Sequence, residues 1–74
     1  MATKLAAIFR HRLQHRMEQL GWCQRDLAEK LGTTQSYVSQ LVTGHRKPGL
    51  ETLEQLAEVL GVDASWLISE NPAN

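Results

Sequence analysis

Apolar residues recur along the chain at intervals of three and four, the spacing that places side chains on one face of an α-helix. No segment alternates strictly between apolar and polar residues, so the pattern predicts helices only. The longest apolar stripe ends before Gly21, a residue suited to a left-handed helix stop. This predicted helix 1 carries Leu5, Ile8, Phe9, Leu13, Met17 and Leu20.

Two short helices are predicted next, joined by the tight turn "LGTT". Helix 2 should span residues 24–31, with Cys23 as a weak N-cap. Helix 3 should begin after Thr34, a good N-cap, and end at Gly44. Ala28 is small enough for the two helices to cross closely, which is typical of a helix-turn-helix unit. The inward residues are Leu27, Ala28 and Leu31 on helix 2, and Val38, Leu41 and Val42 on helix 3.

The outward side of predicted helix 3 is polar but uncharged. A helix face exposed only to water usually favours Glu, Lys and Ala, which lose little entropy in a helix. Short neutral side chains indicate a surface that makes specific hydrogen bonds instead. The outward residues are Ser36, Ser39, Gln40 and Thr43, with Gln35 at the boundary of the face.

Two further helices complete the predicted fold. Residues 50–60 form helix 4, and Asp63 is expected to cap a last short helix over residues 64–69. Trp66 is expected to pack in the core, and residues 71–74 should form a flexible tail. The inward face of helix 4 consists of Leu50, Leu53, Leu56, Ala57 and Leu60.

Charge is divided unevenly along the 74 residues, a length that suits one domain. The chain has eight basic and eight acidic residues, which by themselves argue against a polyanionic partner. All eight basic residues lie at or before Lys47, however, together with only three acidic ones. The remaining five acidic residues follow Lys47. This division can orient a small domain towards a polyanion.

Other chemistry finds little support in the sequence. Cys23 is the only cysteine, so an intramolecular disulfide is excluded and a cytoplasmic location is expected. The apolar start is too short for a signal peptide or a membrane span. His11 and His15 lack a third metal ligand and should extend a basic face instead. We therefore expect no cofactor, no metal site and no enzymatic activity.

The segment "WCQRDLAEKLGTTQSYVSQLVTGHRKPGLETLEQLAEVLGVDASWL" resembles the Cro and lambdoid-repressor helix-turn-helix family, also called the XRE family. The resemblance extends over roughly residues 5 to 68. It implies an all-α fold, a compact five-helix bundle with a helix-turn-helix of the lambda-repressor-like DNA-binding type. It also implies a single domain over residues 1–70 and a third helix that enters the DNA major groove.

The same resemblance assigns roles to individual residues. Glutamine can form a bidentate pair with adenine, and serine can bond several bases. A glutamine opening helix 2 matches the family's phosphate contact, where free N–H groups favour an anion. By resemblance, the base-reading residues are Gln35, Ser36, Ser39 and Gln40. The DNA-backbone contacts are Gln24, Tyr37, Thr43, Arg46 and Lys47.

Two positions depart from the family pattern. Many members pair an Arg late in helix 1 with a Glu late in helix 3, where this chain has Met17 and Val42. Well-packed apolar residues often replace a buried ion pair without loss of stability, so the fold is still expected. The second departure is Gly49, which stands where a capping Ser is more usual; glycine is acceptable there.

Two biological roles remain open from the sequence. The first is a stand-alone transcriptional regulator, a Cro-like or small repressor that binds a two-fold related operator as a homodimer. The second is an antitoxin-type adaptor that binds a protein partner as well as its own promoter, which would need an exposed apolar patch outside the core and the dimer surface, for example on helix 5 around Ile68. A pure protein-interaction module is disfavoured by the face of helix 3. The candidate dimer interface is helix 5 and the loop before it, with Trp66, Leu67 and Ile68 nearby.

The apolar stripes of helices 1 and 3 predict that Met17 and Val42 touch in the core. Val42→Glu should therefore cost several kcal/mol, because it buries an unpaired charge, and Met17→Arg added to it should restore part of the loss. Urea unfolding of both single variants and the double variant measures this coupling. A Val42→Glu variant as stable as the parent would place both positions at the surface.

Overall fold

Five helices pack around one leucine-rich core in the computed structural model, which describes residues 4–69. No strand occurs within that range. The all-α, five-helix fold predicted from the sequence is confirmed, and the bounds of helices 2, 3 and 4 are as predicted. The helices are α1 (Lys4–Leu20), α2 (Gln24–Leu31), α3 (Gln35–Thr43), α4 (Leu50–Leu60) and α5 (Ala64–Ile68). The predicted tail at 71–74 lies outside the described residues.

Every helix contributes to the core. The most deeply buried side chains are leucines and one valine, each of which gains about 1.5 to 3 kcal/mol from complete burial. Helix α1 buries Phe9, Leu13 and Met17 and packs against both α3 and α5. The buried residues are Phe9, Leu13, Met17, Leu27, Ala28, Val38, Leu41, Leu53, Leu56, Ala57, Leu60 and Leu67.

Two leucines that were predicted to face inward are exposed instead. Leu5 is 58% exposed and Leu50 is 83% exposed. Leu5 lies in the first turn of α1, and Leu50 is the first residue of α4. The apolar spacing continues to these helix ends, but the neighbouring helices do not cover them. The two inward assignments were therefore wrong.

Helix α5 also differs from its predicted arrangement. Trp66 is half-buried rather than fully enclosed, and the Arg12 guanidinium carbon lies 4.9 Å from its ring centroid. Asp63 is the N-cap residue but makes no side-chain capping bond. Leu67 is fully buried in the core, so it cannot form a dimer interface as predicted. Of the three candidate interface residues, only Ile68 is exposed.

Two arginines of α1 donate hydrogen bonds to carbonyl groups at the ends of α4 and α5. Arg16 Nε lies 2.8 Å from the carbonyl oxygen of Leu60, the last residue of α4. Arg12 Nη2 lies 2.9 Å from the carbonyl oxygen of Ser69, which follows α5. A helix C-terminus carries unpaired carbonyl groups and partial negative charge, so these cations stabilise both helix ends.

The C-terminus of α3 is bound to α1 in the same way. Gln14 Nε2 donates to the carbonyl oxygen of Val42 at 2.9 Å. Arg10 Nη1 makes a longer contact of 3.4 Å with the carbonyl oxygen of Thr43. This chain therefore joins α1 to α3 through donors to main-chain oxygens, where many family members are expected to use an ion pair.

The surroundings of Val42 reduce the expected cost of Val42→Glu. Met17 is buried, but Val42 is only half-buried and lines a surface depression with Arg10 and His11. A carboxylate at position 42 would have a cation beside it and partial access to water. We therefore expect a cost of roughly 1 to 3 kcal/mol rather than the larger penalty of a fully buried charge.

Candidate nucleic-acid interface

Helices α2 and α3 form a helix-turn-helix unit whose turn occupies only residues 32–34. Gly32 has a φ of +73°, which turns the chain at the end of α2. The Thr33 N–H then donates to the Ala28 carbonyl oxygen at 2.9 Å. Leu27 and Val38 are completely buried, so the inner sides of both helices are fixed in the core. The outer side of α3 is left at the surface.

The four predicted base-reading residues lie away from the buried side of α3. Gln35 and Ser36 in the first turn are exposed, and Ser39 and Gln40 one turn later are half-buried. Their spacing puts them on neighbouring positions of one helix face. The face begins at a well-formed helix start, because the Thr34 hydroxyl oxygen accepts the Tyr37 N–H at 3.1 Å.

Three predicted site residues are brought into direct contact. Arg46 Nε donates to Gln40 Oε1 at 2.8 Å. The guanidinium carbon of Arg46 lies 5.2 Å from the Tyr37 ring centroid, within cation–π distance. The Tyr37 hydroxyl in turn lies 3.4 Å from the Thr52 hydroxyl of α4. The sequence predicted separate roles for these residues and did not predict the contacts between them.

The turn after α3 explains how Arg46 reaches Gln40. Gly44 has a φ of +88°, and the N–H groups of His45 and Arg46 both donate to the Gln40 carbonyl oxygen, at 2.9 and 3.2 Å. The His45 bond is that of a Schellman motif, which reverses the chain at a helix end. An added Cβ at Gly44 would lie 3.0 Å from Arg10 Nη1. The positive φ therefore favours glycine at position 44, whereas the flexible end of the Arg10 side chain could move aside for a Cβ.

The other residues predicted to contact the DNA backbone differ in their contacts within the protein. Lys47 is exposed in the loop between α3 and α4. The Thr43 hydroxyl has internal partners, since it donates to the Ser39 carbonyl oxygen at 2.9 Å and lies 2.8 Å from His45 Nδ1. The sequence analysis assigned no role to His45, although this residue lies within the basic loop "GHRKP".

The start of α2 has a capping partner that the sequence analysis also missed. The Asp26 carboxylate accepts the Cys23 N–H at 2.9 Å, the reciprocal bond of a capping box. This backbone hydrogen bond, with contributions from Cys23, Lys30 and Arg25, lowers the pKa of Asp26 below its ordinary value. The spacing C-x-x-D could have revealed it. Gln24, the predicted phosphate contact, is half-buried at this helix start.

Further structural observations concern membranes and metals. Within residues 4–69, no helix is long and apolar enough to cross a membrane. Over the same range, no group of three or more His, Cys, Asp or Glu side chains is placed to hold a metal ion.

Two short helices joined by a turn of three residues that contains Gly32 define a helix-turn-helix. The helix-turn-helix family model HTH_3 matches residues 13–67, and the chain belongs to this family. The resemblance seen in the sequence is thus confirmed.

The relatives of this chain are regulators. It is 38% identical over 56 residues to the HTH-type transcriptional regulators for conjugative element R391 of Providencia rettgeri and element SXT of Vibrio cholerae. The match covers 76% of this chain but 26% of each relative, so the chain spans about a quarter of their length.

A solved structure has the same fold. The crystal structure of the hypothetical transcription factor NHTF from Neisseria matches with a TM-score of 0.83 and 29% sequence identity. The match covers 88% of this chain and 73% of that one. The chain is therefore a helix-turn-helix domain of the kind found in transcriptional regulators.

The lowered pKa of Asp26 predicts how acid acts on α2. In the folded state the carboxylate holds its charge to lower pH than in the unfolded state, so its stabilising effect is complete above the ordinary carboxyl pKa. Asp26→Ala should therefore be less stable than the parent at neutral pH. The difference should shrink as the pH falls through the lowered pKa.

Urea unfolding at a series of pH values measures this difference. Glu29→Ala is the matched control, because Glu29 is an exposed acid on the same helix. A difference between the parent and Asp26→Ala that stays constant from neutral pH into acid would contradict the capping role.

Proposed function

We propose that the chain binds double-stranded DNA in a sequence-specific manner and regulates transcription, with α3 as the helix that reads base edges. The observation that carries this proposal is the contrast between the two sides of α3. Val38 and Leu41 on the inner side are completely buried, while Gln35 and Ser36 on the outer side are exposed. A face rich in neutral hydrogen-bonding groups suits base edges in the major groove, where each base pair presents its own pattern of donors and acceptors.

The distribution of charge supports the same proposal. The basic residues lie on α1, α2 and the loop after α3, whereas α4 carries three exposed acids. Lys47 is exposed beside α3, where a positive charge can contact phosphate without reading sequence. The acids on α4 are Glu51, Glu54 and Glu58. Arg46 and Lys47 thus place positive charge directly after α3, where it can attract a polyanion to the face of that helix.

The family resemblance also supports homodimeric binding. A reading helix of nine residues reaches few base pairs, so useful specificity needs a second copy. The half-sites are expected to lie about 34 Å apart, one turn of DNA. Exposed Ile68 and Leu5 border a mainly apolar depression of about 250 Å³, whose lining also includes Arg46 and Lys47; we propose its Ile68 side as part of the dimer contact.

The antitoxin-type alternative would use the part of this depression that a second copy leaves uncovered. Its lining includes Phe9, Leu41 and Leu53 from three different helices. An exposed apolar patch suits a protein partner as well as a second copy. Because the adaptor would also bind its own promoter, two chains on one duplex fit both roles, and the identity of the neighbouring gene separates them.

We expect two chains on one duplex. The probe is a duplex that the chain itself enriches from a randomised pool, and sedimentation of the complex gives the stoichiometry. Ile68→Asp should weaken binding to this duplex, because it places a charge beside the apolar depression, while Ser65→Asp on the same helix serves as the exposed control. A footprint of one half-site with one chain bound would exclude the dimer.

Residues that read base edges and residues that contact the DNA backbone should respond differently to salt. Gln35→Ala should reduce the preference for the enriched duplex over a scrambled one by about 1 to 3 kcal/mol, because it removes base-edge hydrogen bonds. Lys47→Ala should weaken binding to both duplexes alike and reduce the slope of log affinity against log salt by about one unit.

Fluorescence anisotropy titrations at several salt concentrations give both quantities. Lys47→Ala is the charge-removing control for Gln35→Ala, which leaves the charge unchanged. Equal losses on both duplexes for Gln35→Ala would show that α3 is not the reading helix.

A further inference from the structure

The side-chain amide of Gln40 is held in one orientation by Arg46. A guanidinium group only donates hydrogen bonds, so the Gln40 atom 2.8 Å from Arg46 Nε is the carbonyl oxygen. The amide nitrogen of Gln40 therefore carries its two N–H donors on the side away from Arg46. A glutamine without such a partner can turn its amide over and offer either a donor or an acceptor.

Arg46 makes two contacts besides the one with the Gln40 side chain. Its guanidinium lies against the Tyr37 ring, and its main-chain N–H bonds the carbonyl oxygen of Gln40. Tyr37 is half-buried, and its hydroxyl contacts Thr52 of α4. The orientation of the Gln40 amide is thus connected to the body of the domain through Arg46 and Tyr37.

From this geometry we infer that Arg46 is a positioning residue that makes Gln40 a hydrogen-bond donor towards DNA. This inference rests on the proposed function and goes beyond the phosphate contact expected from the family resemblance. A fixed donor favours bases that present acceptors in the major groove: purine N7, guanine O6 or thymine O4. It disfavours cytosine, whose N4 amino group is also a donor.

The test uses four versions of the enriched duplex that differ only at the base pair facing Gln40. The base pair facing Gln40 is identified as the one whose replacement changes the affinity of the parent but not that of the Gln40→Ala variant. The parent should bind the best acceptor-bearing duplex about tenfold more tightly than the one that presents cytosine. Arg46→Met should bring this ratio close to one, because the released amide can accept from cytosine N4.

Lys47→Met is the matched control, since it removes one positive charge from the same loop and leaves Gln40 held. It should weaken binding to all four duplexes by one common factor and keep the tenfold preference. In a Gln40→Ala background, Arg46→Met should cause no further loss of preference. In the free protein, the two Gln40 amide protons should give distinct, fixed contacts by NMR that Arg46→Met abolishes.

The outcomes separate the inference from the proposed function. If Arg46→Met lowers all four affinities equally, as Lys47→Met is expected to do, Arg46 is only a phosphate contact and the inference is overturned. If the parent itself prefers no duplex over a scrambled one, the proposed function fails. If the preference for an acceptor is lost in Arg46→Met alone, both stand.

Discussion

The arrangement of this domain depends on α1 satisfying the carbonyl groups at the ends of other helices. Helices α2 to α5 have between 5 and 11 residues, lengths that are unstable in water without tertiary contacts. Arg12, Gln14 and Arg16 each donate to a carbonyl oxygen at or just after the last turn of another helix. The same helix buries Phe9, Leu13 and Met17 in the core. One long helix thereby sets the positions of α3, α4 and α5, and so the exposure of the α3 face.

Most of the fold could be predicted from features that lie close together in the sequence. Cap residues, glycine stops and apolar spacing gave the bounds of α2, α3 and α4, because these features act within one turn of the helix. Leu5 and Leu50 were misplaced because periodicity tells which face is apolar but not where the neighbouring helices stop. The arginines of α1 were read as a charged surface. Their carbonyl partners lie up to 57 residues away, a separation at which sequence spacing carries no information.

The candidate site was predictable as a face but not as a set of contacts. The outward direction of Gln35 and Ser36 follows from the buried positions Val38 and Leu41, which fix the rotation of α3. The contact between Arg46 and Gln40 crosses a left-handed turn, where helical periodicity no longer applies. The bond from Cys23 to Asp26 was not predicted for a different reason: the usual capping box has Ser or Thr at the N-cap and Glu or Gln at N3, a pattern that C-x-x-D does not match.

The separation of α3 into a buried side and a hydrogen-bonded outer side bears on how recognition can diverge in evolution. Gln35 and Ser36 are exposed, so substitutions there change the surface chemistry at little cost to folding. Gln40 is different because its partner lies in the following loop, and a new residue at position 40 would leave the Arg46 guanidinium without its acceptor. We expect diverging lineages to vary positions 35 and 36 independently and to change positions 40 and 46 together.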